Sequence, residues 1–280
     1  MAELLSSGQS HFFYNGRILQ SNQFSEKLVE GDRIIYEVVH VVKSTPVFFP
    51  DHIKRLKNSI LRSSLAEPSY DQLVSSTKLL LDREPVVENN IKISVVYRLN
   101  HEKPDSAIYF IPSKYPTYND KHYGVSVKTV NATRLKPEIK VENKTLRKRA
   151  DEIIDRDGYY EVLLVNNEGY ITEGSRSNIF FVKSGGVVTA PSDMVLSGIT
   201  RDKVLQICAK LGVGVAEDCL NANQLSEIDG GFITGTSPGV LAIGKVDDVT
   251  LDVNIDLIKQ IALEYEALIQ AEVENRQKQG

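Results

Sequence analysis

The chain has 280 residues, enough for one large domain or two modest ones with separate cores. Its 41% hydrophobic and 25% charged residues are ordinary for a water-soluble protein. A net charge of −4 gives no electrostatic basis for nucleic-acid binding, so a small anionic ligand would need a local basic pocket.

The start of the chain, MAELLSSGQSHFFYNG, shows no apolar run behind basic residues, so a reducing cytoplasm is the expected compartment for its two cysteines, Cys208 and Cys219. Cys208, in KVLQICAKLG, reads as a small buried hydrophobe on a helix. No uninterrupted apolar run approaches the about 20 residues that span a bilayer, so no membrane partner is expected. The five histidines (His11, His40, His52, His101, His122) lack paired ligand spacing, and no metal site is expected.

In chain order, HFFYNGRIL predicts a hairpin turning at Asn15-Gly16, and RIIYEVVHVV (33–42) predicts a strand. PDHIKRLKNSILRSSL places Ile53, Leu56, Ile60 and Leu61 at helical spacing behind Asp51 as N-cap. DQLVSSTKLLLD predicts a second helix, with IKISVVYRL and SAIYFIP as strands. The stretch PSKYPTYNDKHYG (112–124) has two prolines and no periodicity, which marks an interdomain connection. A smaller domain over 1–118 and a larger one over 119–280 are expected.

Beyond it, GVSVKTV predicts a strand and NKTLRKRADEIIDRDG a helix ending at Gly158. YEVLLVN, YITEG and SNIFFVK predict three strands, and TRDKVLQICAKLG a helix closed by Gly212. GGFITGTSPGVLAIG holds two strands around a turn, and NIDLIKQIALEYEALIQAEVENR is a long amphipathic helix. The fold class is α/β or α+β in two domains.

Three features carry chemistry. In YITEGSRSNIFFV, Glu173 stands at a strand end before Gly174, Ser175 and Arg176, where a rigid sheet can present a carboxylate beside an approachable backbone. This stretch alone reads more readily as a decorated hairpin. In LSGITRDKVL, Gly198, Ile199 and Thr200 precede a helix, and its first amides and dipole favour an anion. TGTSPGV (234–240) makes a second tight turn able to nest an anion, with Thr236 and Ser237 in it. Neither has the spacing of a nucleotide P-loop. A lysine is needed if the anion belongs to an aldehyde cofactor. Lys136, Lys140, Lys144 and Lys148 are available, and Lys140 differs in lying between Ile139 and Val141 on a short apolar extended piece, where lost solvation favours the neutral amine.

Together EIKVEN, YITEGSRSNIFFV, VLSGITRDKV and FITGTSPGVLAIG, with FYNGRI, YEVVHV and DHIKRLKNS upstream, resemble the class IV aminotransferases, the fold type IV enzymes that use pyridoxal 5'-phosphate (PLP). That family includes D-amino acid aminotransferases, branched-chain aminotransferases and aminodeoxychorismate lyase. The resemblance implies a homodimer acting on amino acids and keto acids. It implies that Lys140 holds PLP as a Schiff base and shuttles a proton, and that Glu173, 33 positions later, pairs with the pyridinium nitrogen. It assigns the cofactor phosphate to Arg55, the amides of Ile199 and Thr200, and Thr236, with Asn178 supporting the site.

For the substrate, strand alternation places Tyr36, Val38 and His40 on one face, which the resemblance turns toward the pocket. YEVV is closer to D-amino acid aminotransferases than to the branched-chain group, so D-alanine or D-glutamate with 2-oxoglutarate or pyruvate is expected. A branched-chain L-amino acid transaminase and a lyase of aminodeoxychorismate type are the alternatives. The carboxylate-binding RGxH stretch of D-specific enzymes is replaced by VVYRLNHEKP, leaving Arg98 and His101 as stand-ins. Arg176 is the preferred carboxylate grip, because a guanidinium offers a forked, permanent charge, and Ser237 joins the substrate set.

Overall fold

A computed structural model of the chain describes residues 5–6, 8–99, 101–134 and 136–278. The expectation drawn from residues 1–16 therefore lies in part outside the described residues. The chain is of the mixed α/β class and forms two compact units. One comprises Met1–Lys114, Ile139–Glu142 and Ile269–Gly280; the other comprises Tyr115–Glu138 and Asn143–Leu268.

In the first unit a six-stranded antiparallel sheet runs in the order Arg17–Gln20, His11–Tyr14, Asp105–Ile111, Glu88–Tyr97, Arg33–Val42, Thr45–Pro46. The first hairpin turns on Asn15 and Gly16, whose φ angles of 50° and 74° suit the right-handed strand twist. Strand Arg33–Val42 sends Ile35, Val39 and Val41 into a core with Leu56 and Ile60 of helix Phe49–Arg62 and Leu73 and Leu80 of helix Tyr70–Arg83. Its opposite face carries Ile34, Tyr36 and Val38.

Helix Phe49–Arg62 starts earlier than the sequence suggests. Phe48 takes a left-handed conformation with φ 51°, Pro50 fits the first turn, and Asp51 lies inside that turn rather than capping it. There its carboxylate still complements the helix dipole. Segment Ile139–Glu142 packs with this unit because it lines the strand Arg33–Val42. Tyr36 N–H donates to the Lys140 carbonyl at 3.2 Å, Glu142 N–H donates to the Ile34 carbonyl at 3.1 Å, and Val141 bridges Ile35. A division at residue 118 assigns this lysine to the other part of the chain.

In the second unit the strand path is Val215–Glu217, Gly186–Thr189, Asn178–Lys183, Gly230–Gly235, Gly239–Val246, Val125–Asn131, Glu161–Val165, Tyr170–Gly174, Leu220–Asn221. A further pairing of Asn178 with Glu173 joins two of these strands, so six of them close into a ring. Val127, Leu163, Ile171, Ile179, Ile233 and Leu241, one from each, share a single apolar cluster. Helix Lys144–Asp157 covers Val162 and Leu164 with Ala150 and ends at Gly158, whose φ of 74° gives the usual left-handed stop.

The stretch 112–124 contains a short helix, Tyr118–Tyr123. It begins in a capping box in which Thr117 Oγ1 accepts from the Asp120 N–H at 3.1 Å and the Asp120 carboxylate accepts from the Thr117 N–H at 2.8 Å. Fewer than two turns is too short for hydrophobic periodicity to announce. Among the described residues no helix is long and apolar enough to cross a membrane.

Candidate active site

Lys140 stands in the first unit on a segment tied by backbone bonds to strand Arg33–Val42 and by a side-chain bond to helix Phe49–Arg62. Its N–H donates to Ser59 Oγ at 3.4 Å, from a helix residue that is itself buried, and its carbonyl accepts from Tyr36. The Lys140 Nζ lies 5.0 Å from the centre of the Tyr36 ring. Lysine and tyrosine, far apart in sequence, are thus adjacent.

Beneath them lies a buried charge cluster. Glu37 is fully buried on the core face of its strand, among apolar neighbours, so its carboxylate must be paired. Arg55 grips it with both arms, Nε to Oε1 at 2.8 Å and a terminal nitrogen to Oε2 at 2.6 Å, and His52 Nδ1 lies 2.8 Å from Oε2. Burial pushes the Glu37 carboxyl up, but the Arg55 charge and hydrogen bond, with His52, reverse this and hold it at about 2. His52 is lowered chiefly by burial, partly opposed by Glu37, with the charges of Arg55 and Lys140 adding to the fall. Arg55, the expected phosphate ligand, is therefore oriented by Glu37.

Of the expected substrate residues, Tyr36 is buried and Val38 packs beside it. His40 Nε2 sits 3.0 Å from Glu88 at the far end of the same face. Arg98 is bound to Asp105 and donates to the carbonyls of Lys27 (2.8 Å) and Leu28 (3.1 Å), and His101 Nδ1 stands 3.8 Å from the same Asp105. Those contacts tie the chain after strand Glu88–Tyr97 to strand Asp105–Ile111 and, through Arg98, to helix Glu26–Val29.

In the second unit Glu173 is 2% exposed at the strand pairing that closes the ring. Its Oε1 accepts from Arg134 Nε at 2.7 Å and its Oε2 from the Leu196 N–H at 3.1 Å. Arg134 also donates to the Ser175 carbonyl at 2.9 Å. Asn178 Nδ2 donates to the Leu196 carbonyl at 2.8 Å, so one peptide strap is held by both residues of the closing pair. Sequence alone does not single out Arg134. It lies on irregular chain, where no periodicity points to it, and only the ion pair reveals its use.

The two predicted anion loops meet one residue in common. Helix Ile199–Leu211 begins at Gly198 without a side-chain cap, and Thr200 Oγ1 lies 3.2 Å from the Tyr265 hydroxyl. A Cβ at Gly239, which has φ 61°, would lie 3.4 Å from the Tyr265 ring. A Cβ at Gly198 would fall 2.2 Å from Asn178 Oδ1, so the helix start and Asn178 require glycine between them. Thr236 and Ser237 are half-buried in the second turn. Next to it the Thr234 hydroxyl, cross-strand from Asn178, is buried with no hydrogen-bond partner among the described residues.

Arg176 turns elsewhere. Its side chain is 48% exposed and bound to Asp151 of the neighbouring helix, and that pairing explains it without a substrate. The turn around it is held from below by the buried Glu161, which accepts from Ser175 Oγ (2.6 Å), Ser177 Oγ (2.9 Å) and the Arg176 N–H (3.2 Å). Gly174 fits because a Cβ there would lie 2.1 Å from Ser177 Oγ. The arginine's backbone, not its charge, belongs to the architecture.

The second unit offers a buried carboxylate with a fixed counter-ion, a helix start without a side-chain cap, and a buried hydroxyl lacking a partner among the described residues, which suit a basic ring nitrogen and an anion. The first unit offers the primary amine of Lys140, which suits an aldehyde.

Comparison with known proteins shows the family. The model of the amino-transferase class IV family matches residues 34–246. A probable branched-chain-amino-acid aminotransferase of Thermotoga maritima is 29% identical over 252 residues, covering 84% of this chain and 87% of that protein. A D-alanine aminotransferase of Bacillus licheniformis is 26% identical over 254 residues, covering 85% and 89%. Among solved structures, a branched-chain aminotransferase of Thermoproteus uzoniensis with norvaline shares the fold at TM-score 0.84 and 22% identity, covering 96% of this chain and 97% of that one. With the family model spanning most of its length and both units built as described, the chain belongs to the class IV aminotransferases.

Proposed function

We propose that the protein is a transaminase of D-amino acids, D-alanine and D-glutamate among them, with 2-oxoglutarate or pyruvate as acceptor, and that it works as a homodimer. Class IV aminotransferases are PLP-dependent, and PLP when bound supplies an electron sink for the α-carbon. The chain's own residues do the rest. Lys140 is the covalent anchor, and its Nζ carries the proton to and from the substrate carbon. Glu173, paired with Arg134, takes the ring nitrogen. Arg55, oriented by Glu37, the amides of Ile199 and Thr200, and Thr236 take the phosphate, while Asn178 fixes the strap at Leu196.

The observation that carries the D-specific reading is Tyr36, buried beside the Lys140 amine within a YEVV strand. The name of the Bacillus licheniformis relative is consistent with it. A second reading, a branched-chain L-amino acid transaminase, is favoured by the apolar neighbours Ile34, Val38 and Val96 around Tyr36 and by the name of the Thermotoga maritima relative. Turnover with 2-oxoglutarate as acceptor separates them. A kcat/KM for D-alanine at least tenfold above that for L-leucine supports the first, and the reverse order replaces it with the second.

A further inference from the structure

Lys92 is 9% exposed, on strand Glu88–Tyr97, directly across from Val38. Its neighbours on the same strand are Ile91 and Ile93, both in the core, so the lysine points to the opposite face of the sheet, the one carrying Tyr36. The Lys92 Nζ lies 4.8 Å from the centre of the Tyr36 ring, and the Lys140 Nζ lies 5.0 Å from the same centre. The two amines are therefore no more than about 10 Å apart, on one aromatic ring. Lys92 also donates to Glu142 Oε1 at 2.8 Å, two residues beyond Lys140. Burial lowers the Lys92 pKa, but Tyr109, Glu142 and Tyr36 outweigh it and raise the pKa, so the ammonium persists at neutral pH.

An amino acid reacting at Lys140 carries its carboxylate one carbon–carbon bond from the reacting carbon, so the cation that holds it must lie close to Lys140. Arg98 is spent on Asp105 and two carbonyls, and Arg176 is on Asp151. Arg55 is engaged with Glu37. Lys92 is bound to a carboxylate as well, and what sets it apart is that it shares the Tyr36 ring with Lys140.

We propose that Lys92 receives the substrate α-carboxylate and that Glu142 holds its place until substrate arrives. The proposal rests on the transaminase reading for the identity of the substrate, but not on its hand. A buried ammonium facing an aromatic ring can accept one carboxylate in exchange for another without exposing an unpaired charge. Glu142 is thereby a built-in competitor.

The test is calorimetric titration of pyruvate into PLP-loaded protein, for the wild type and for Lys92→Met, Lys92→Arg and Glu142→Gln. Loss of a charge-assisted bond predicts that Lys92→Met weakens pyruvate about 10- to 100-fold and that Lys92→Arg recovers most of it. Glu142→Gln removes the competitor and should tighten pyruvate several-fold. Unchanged binding in Lys92→Met, or weakening by Glu142→Gln, would overturn the proposal and leave the pair as a structural tie for the lysine segment. If Lys92→Met does not fold, Lys92→Arg and Glu142→Gln still decide it. Failure of the wild type to respond spectrally to any amino donor, while pyruvate binding follows this pattern, would count against the transaminase reading and not against Lys92.

Discussion

Arg134 places its Nε 2.7 Å from Glu173 Oε1, and the carboxylate's other oxygen takes the Leu196 N–H at 3.1 Å. The acid is thus fixed in direction and paired with a cation before any ligand meets it. Replacing Arg134 by Leu strands a buried carboxylate, which costs on the order of 3 kcal/mol. Thermal melts of the apoprotein should show that loss, and PLP affinity should fall with it. Arg134→Lys should recover stability in part, because a point charge cannot hold both Glu173 and the Ser175 carbonyl in the same planar geometry.

Gly198→Ala tests the helix start. Its backbone φ of −70° admits any residue, so the effect must come from the Cβ, which would lie 2.2 Å from Asn178 Oδ1. Displacing Asn178 breaks its bond to the Leu196 carbonyl, for an overpacking cost of about 1–3 kcal/mol. Titration of PLP should show weaker binding, with a smaller change for inorganic phosphate in solution as competitor.

The Glu37 cluster makes stability depend on pH in a stated direction. The Glu37 carboxyl is held at about 2 against 4.5 in the unfolded chain, so its contribution is present above 4.5 and lost as pH falls toward 2. His52 is also lowered from 6.5, so protonation favours the unfolded chain and stability begins to fall below that pH. Melting temperatures across pH 7 to 3 should decline in both windows. In Glu37→Gln the decline below 4.5 should shrink, on a lower starting stability.

Arg176→Ala should leave the KM for every amino donor within about twofold, since a half-exposed arginine on Asp151 contributes about 0–1 kcal/mol. Donor kinetics check this directly. A large rise in KM would return Arg176 to the substrate.

Much of the architecture is legible in the sequence where a local rule governs it. The Asn15-Gly16 hairpin, the strand 33–42 and the glycine stops at Gly158 and Gly212 each follow from turn chemistry or period. Glu173 and the two loops at Gly198 and Gly239 stand out because glycine marks close approach. Arg134, Lys92 and Glu161 do not, because each is defined by a partner 39, 50 and 14 residues away, respectively. Lys92 in particular sits in IKISVV, where an apolar strand hides one charged residue. The same limit bears on Arg176: proximity to Glu173 in sequence is not proximity of side chains, and its partner in the structure is Asp151 from a helix. The grouping of Ile139–Glu142 with the first unit likewise depends on a β-bridge to Ile35 that no local pattern encodes.

The most direct test is to reduce PLP-loaded protein with borohydride and locate the labelled residue by peptide mass. The proposed role of Lys140 predicts the label on Lys140 alone, with none in Lys140→Ala. A label on Lys92, Lys136, Lys144 or Lys148, or retained in Lys140→Ala, would contradict the account at its centre.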